Sequence, residues 1–111
     1  MKTMTEYQCR AVKAVTHAIH QLGGEIEFHK AGIEGDFLRG TANCSRGRIS
    51  VDLNEDDYVA TFEVGAVERV FERPDYASER EMIDALCEAL QTEIAQGSFP
   101  FFGQGGHAPL L

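Results

Sequence analysis

The stretch Tyr58-Val59-Ala60-Thr61-Phe62-Glu63-Val64-Gly65-Ala66-Val67-Glu68-Arg69-Val70-Phe71-Glu72 alternates apolar and polar side chains on both sides of a Gly-Ala pair. A period of two places successive side chains on opposite faces of a strand. Residues 58–64 and 67–72 therefore read as the two arms of a hairpin, and glycine in the first loop position suits a type II′ turn, whose twist matches that of the strands. This register puts Phe62 and Val64 on one face with Val67 and Phe71. It also sets Glu63 directly across from Glu68, a like-charge pair that costs stability.

Working outward, residues 36–44 and 49–53 read as a second hairpin through Ser45-Arg46-Gly47-Arg48. With Cys44 facing Ile49, the smaller inward set Leu38, Gly40, Ala42 and Cys44 fills against Ile49, Val51 and Leu53. Residues 25–30 alternate too, with Ile26 and Phe28 on one face and Glu25, Glu27 and His29 on the other. Residues 31–35 connect them to the second hairpin, and residues 54–57 form an acidic turn before the last one. Five short strands joined by turns predict an antiparallel meander.

A helix is expected on each side of it. In residues 5–22, Tyr7, Ala11, Ala14, Val15, Ala18 and Leu22 share a side at helical spacing, with Val12 and Ile19 at its edge and Arg10, Lys13, His17 and His20 opposite. Gly23-Gly24 stops that helix. After Arg73-Pro74-Asp75-Tyr76, the segment Ser78-Glu79-Arg80-Glu81 reads as a capping box. Met82, Ile83, Leu86, Leu90 and Ile94 then form an apolar stripe, and Gly97 ends the helix. The expected fold is α+β: an N-terminal helix, a five-strand antiparallel meander and a C-terminal helix, with both helices on one sheet face. Residues 1–97 make one domain. Residues 98–111 are a Gly/Phe-rich tail whose Phe99, Phe101 and Phe102 are expected to dock on the body or on a second copy of the chain, so a homodimer is open.

The 111 residues are 43% hydrophobic and 25% charged, ordinary values for a globular chain. No apolar run approaches the ~20 residues that span a bilayer, so no membrane association is expected. The start, Met1-Lys2-Thr3-Met4-Thr5-Glu6, has no apolar stretch behind its lysine, unlike a secretory signal. Cytoplasmic residence is the expectation. Cys9, Cys44 and Cys87 are odd in number and widely spaced, which argues for reduced thiols rather than a disulfide framework or a zinc site. Cys44 and Cys87 read as small core residues and Cys9 as exposed.

Charge is distributed unevenly. Of the formal −8, residues 54–76 carry −5 and residues 77–97 carry −4. A field of that sign repels nucleic acid and acidic membrane and steers a basic partner. Arg39, Arg46 and Arg48 gather near one hairpin, where local salt bridges are the simplest role.

Motifs for catalysis or metal binding are weak. Asp52, Asn54, Asp56 and Glu63 match positions 1, 3, 5 and 12 of a calcium loop, but position 6 is Asp57 where the bend needs glycine, and the flanks read as strands. His17 and His20 lack a third ligand within a turn on their face. No cysteine or serine has a base and an orienter placed beside it, and no P-loop, dinucleotide fingerprint or nucleophile elbow is present. No cofactor, no metal and no enzymatic activity are expected. The signal that is left is the sheet face opposite the helices, which presents Glu25, Glu27, Phe37, Arg39, Val59, Thr61, Glu63, Glu68, Val70 and Glu72. Carboxylates mixed with a few apolar anchors suit a protein-binding surface.

This compact acidic layout over residues 5–96 resembles the small immunity proteins that bacteria pair with secreted toxins. The resemblance lies in architecture and implies a binding inhibitor whose acidic face occupies the basic cleft of a toxin domain. Glu55, Asp56, Asp57, Glu63, Glu68 and Glu72 would supply charge complementarity, and Phe37, Val59 and Val70 the desolvated anchors. Acidic secretion chaperones are similar in size and charge, but usually carry a further helix between strands. A small ligand-binding domain or enzyme is the reading from a different class, should the tail close a pocket.

Overall fold

The computed structural model describes residues 4–33, 35–54 and 59–96. Helix α1 (Glu6–Gln21) is followed by strands β1 (Glu27–Ala31), β2 (Phe37–Cys44), β3 (Gly47–Asn54), β4 (Val59–Val64) and β5 (Val67–Glu72), a 3-10 turn (Arg73–Asp75) and helix α2 (Glu79–Ile94). The strands form one antiparallel sheet in chain order. Both helices pack on the same face of it, α1 over β3 and α2 over β4 and β5. The α+β architecture expected from the alternation is the one observed.

Both ends of α1 have local causes. Thr5 Oγ1 accepts from the Gln8 amide at 3.1 Å while Gln8 Oε1 accepts from the Thr5 amide at 3.0 Å, a full capping box that the Thr-x-x-Gln spacing encodes. The Gln8 amide nitrogen also donates to the Leu53 carbonyl at 3.2 Å, so this buried polar side chain is satisfied and ties the helix start to β3. At the other end Gly23 takes φ +91°. The Gly23 and Gly24 amides return to the carbonyls of His20 and Ile19, which is a Schellman motif. The buried stripe is Tyr7, Gln8, Ala11, Val15, Ala18 and Ile19. It is centred closer to Ile19 than the sequence pattern suggests, leaving Val12, Ala14 and Leu22 only half-buried.

In α2 the buried set is the one the periodicity gives: Met82, Ile83, Leu86, Leu90 and Ile94. Of the two bonds expected in the Ser78 capping box, the structure forms the one from the Glu81 amide to Ser78 Oγ, at 3.1 Å. The helix closes at Ala95, and Gly97 lies outside the described residues. Arg46, in the β2–β3 turn, donates through Nη1 to the Glu93 carbonyl at 2.8 Å and to Glu93 Oε1 at 2.7 Å. A guanidinium there satisfies a last-turn carbonyl and complements the negative end of the helix dipole.

The two helices run in the same direction, because five antiparallel strands between them make an odd number of passes. Arg10 near the start of α1 pairs with Glu79 near the start of α2, and Gln91 near the end of α2 donates to the Ala18 carbonyl and to Gln21 near the end of α1. The hydrogen bond from Arg10 holds the Glu79 carboxyl below its ordinary value.

One register differs from expectation. Cys44 faces Gly47, and Ile49 faces Ala42. The loop is therefore the two residues Ser45-Arg46, the commonest hairpin length, and Gly47, at φ +119°, begins β3 instead of ending a longer turn. A slip of two preserves facing, since side chains alternate with period two. The inward set Leu38, Gly40, Cys44, Ile49, Val51 and Leu53 is buried as expected, while Ala42 is half-buried. In the β4–β5 hairpin the register is as read, with Val64 across from Val67 and Glu63 across from Glu68. Gly65 takes φ +60°, as the first loop position requires. Gly40 lies across from Phe28, whose ring covers it so closely that an added Cβ would sit 2.6 Å from ring carbons.

Candidate functional site

Among the described residues no element covers the sheet face turned away from the helices, and its side chains form rows across the strands. One row runs His29, Arg39, Asp52, Thr61, Val70; the next runs Glu27, Thr41, Ser50, Glu63, Glu68. Phe37 and Asn54 pair toward one end of the face, as do Val59 and Glu72, while Asn43 and Arg48 pair toward the other. Five carboxylates, of Glu27, Asp52, Glu63, Glu68 and Glu72, stand against the two guanidinium groups of Arg39 and Arg48. The face is acidic in balance but not uniformly so.

Arg39 organises its centre. It forms a bidentate pair with Asp52, Nε to Oδ1 at 2.8 Å and Nη2 to Oδ2 at 2.9 Å, and its Cζ lies 5.4 Å from the Phe37 ring centroid. The hydrogen bond to Asp52 raises the Arg39 pKa, and the nearby Glu63 carboxylate adds to the effect. Both oxygens of Asp52 are thereby engaged. Glu63, Glu68 and Arg48 are exposed and make no ion pair among the described residues.

Among the described residues two depressions mark the face. A recess of about 310 Å³ is walled by Arg39, Arg48, Ser50, Asp52, Thr61, Glu63 and Glu68. A smaller one of about 190 Å³ lies between Phe37, Asn54 and Val59, with Asp52 and Thr61 on its border with the first.

Of the expected binding residues, Phe37, Val59, Glu63, Glu68, Val70 and Glu72 lie together on this face. Val70 is 54% exposed, the largest apolar exposure among them, whereas Phe37 and Val59 are half-buried. Glu55, Asp56 and Asp57 lie outside the described residues, as do Phe99, Phe101 and Phe102. Glu25 is exposed but precedes β1. Arg48, Ser50 and Asp52 complete the larger recess and were not part of the expected surface. Arg46 belongs to the other side of the sheet, against α2.

Elsewhere, Val12, Lys13, Thr16, His17 and His20 line a shallow depression on the outer side of α1. No group of three or more His, Cys, Asp or Glu side chains converges to hold a metal among the described residues. No helix among them is long and apolar enough to cross a membrane.

The three cysteines are free thiols. Cys44 is buried as expected. Cys9 is half-buried rather than exposed, because it flanks the buried stripe of α1 beside Val12. Cys87 is half-buried against the core rather than within it, and that burial pushes its thiol up to about 11. At pH 8 Cys87 is then only about a thousandth thiolate, the reactive form. A thiol reagent applied to the native protein should modify Cys9 first and Cys44 and Cys87 slowly; mass spectrometry of tryptic peptides over time checks this, and fastest labelling at Cys87 would contradict it.

Comparison of the chain with protein-family models, with curated proteins and with solved structures gives no match.

Proposed function

We propose that this chain is an acidic protein-binding module that acts by occupying a basic surface, in the manner of an immunity protein inhibiting a cognate toxin in the bacterial cytoplasm. The observation that carries this reading is the opposed Glu63 and Glu68 on an open sheet face. Like charges directly across a strand pair are destabilising, and any neutral residue at either position would avoid that cost. A basic partner turns the same pair into a complementary site. The partner's approach would be steered by the −8 formal charge, and Phe37, Val59 and Val70 would supply desolvated contact area. On this reading the protein binds and does not catalyse. The secretion-chaperone reading is less favoured, because among the described residues the five strands follow one another without an internal helix.

Association with the basic product of a neighbouring gene should slow as salt is raised, since the Debye length is only about 8 Å at physiological ionic strength. The Glu63→Lys, Glu68→Lys variant should associate at least tenfold more slowly at low salt and keep the native circular dichroism spectrum. Binding that ignores both salt and the double substitution would remove the acidic interface from consideration.

A further inference from the structure

We infer that the open face reads its partner at two adjoining points: the recess between Glu63 and Glu68 takes one cationic side chain, an arginine or lysine, and the recess between Phe37 and Val59 takes an apolar side chain of the same segment. This rests on the protein-binding reading above and adds the chemistry of what is recognised.

The two depressions differ in lining and share a wall. The larger is bounded by charged and hydroxyl side chains, and the smaller has Phe37 and Val59 as its apolar members. Asp52 and Thr61 border both, so occupants of the two would be neighbours. Within the larger one the ions are sorted. Asp52 spends both oxygens on Arg39, which makes that pair a fixed wall and not a ligand. Glu63 and Glu68 are free of ion pairs among the described residues and stand directly opposite each other. Directly opposed residues hold their Cβ atoms about 5 Å apart, a spacing at which one planar guanidinium can donate to both carboxylates. Ser50 offers a hydroxyl on the same row, across from Glu63. Arg48 lines the recess as well and, unpaired with either carboxylate among the described residues, repels an incoming cation and competes with it for Glu63 and Glu68.

The distance between the two points follows from the ladder. The smaller recess is centred between the rows of Asn54 and Asp52, and the larger on the row of Ser50 and Glu63, so about three residues of strand, roughly 10 Å, separate them. An extended partner segment with an apolar residue at i and an arginine at i+4 presents both on one side over about 13 Å, and the reach of the arginine side chain absorbs the difference.

Three probes test this on the ¹⁵N-labelled full chain: N-acetyl-leucine amide, N-acetyl-arginine amide, and an acetylated, amidated Leu-Gly-Ser-Gly-Arg peptide. The arginine probe should shift the amide resonances of Ser50, Glu63 and Glu68, and the peptide should shift those of Phe37 and Val59 in addition and bind at least tenfold more tightly than either single probe. The Glu63→Gln, Glu68→Gln variant should lose the arginine response. Val59→Asp should reduce the peptide to the affinity of the arginine probe alone. Arg48→Ala should strengthen the arginine response severalfold by removing the competing cation, whereas weakening would assign the recess to an anionic or zwitterionic ligand and overturn the inference. Absence of any shift at Ser50, Glu63 and Glu68, or a peptide no tighter than the arginine probe, would overturn it too. If the basic protein partner still responds to salt and to charge reversal in that case, the acidic interface stands and only the two-point reading fails.

Discussion

Phe62→Ala is expected to lower the unfolding free energy by about 3–5 kcal/mol, the range for emptying a buried aromatic site. Phe62 is fully buried on the helix side of β4, and its ring stacks on Phe71 with centroids 5.8 Å apart. Alanine would forfeit the transfer energy of the ring and leave a cavity between the sheet and α2, whose buried Leu86 and Leu90 are anchored along a rigid helix and cannot follow inward. Against a typical stability of about 5–15 kcal/mol, that loss decides whether the domain stays folded at 37 °C. Denaturant titration measures it directly, and Phe62→Leu, which keeps most of the volume, should recover more than half. A loss under about 1 kcal/mol would mean that the centre of the core lies elsewhere.

Gly65→Ala should cost about 2–4 kcal/mol, from the left-handed backbone penalty together with overpacking. Gly65 holds φ +60°, and a Cβ there would come within 2.5 Å of the Arg46 carbonyl oxygen, a backbone atom that cannot rotate aside. The Gly65 amide also donates to the Arg48 carbonyl at 3.1 Å, so the β4–β5 turn is bonded to the start of β3 beside the β2–β3 turn. Pushing Gly65 away therefore disturbs the turn from which Arg46 reaches the end of α2. Ala66→Gly, one residue further along the same loop, should change stability by less than about 1 kcal/mol. The melting temperatures of the two variants test the contrast, and equal effects would contradict it.

Much of this architecture is legible in the chain because alternation is a strong signal wherever one sheet face is buried. Residues 59–72 gave strand limits, register and turn together, since glycine at position 65 left one compact hairpin to choose; Tyr58, read as the start of the first arm, lies outside the described residues. The β2–β3 hairpin was legible in facing but not in register. Ser45-Arg46-Gly47-Arg48 contains one glycine in the third position, which fits either a four-residue loop or a two-residue loop followed by a strand that opens on glycine. That ambiguity hid part of the site. With Cys44 across from Ile49, Arg39 would face Asn54; in the observed register it faces Asp52 and forms the bidentate pair that walls the larger recess. The Thr-x-x-Gln spacing of the Thr5–Gln8 capping box went unused, although it was readable. The reach of Arg46 to Glu93 was not, because residues 47 positions apart meet only after the sheet and helix are stacked.

Every strand in this sheet hydrogen-bonds only to strands adjacent in sequence, and that has a kinetic corollary. Each hairpin closes over a few residues, so the sheet can assemble by successive short-range steps with little entropy lost at any one of them. The contacts that join α1 to α2 span 69 to 73 residues and cannot form early on that ground. Native-state hydrogen exchange should accordingly find α1 releasing its amides at lower free energy than β3 and β4, with α1 the first element to leave and the last to return.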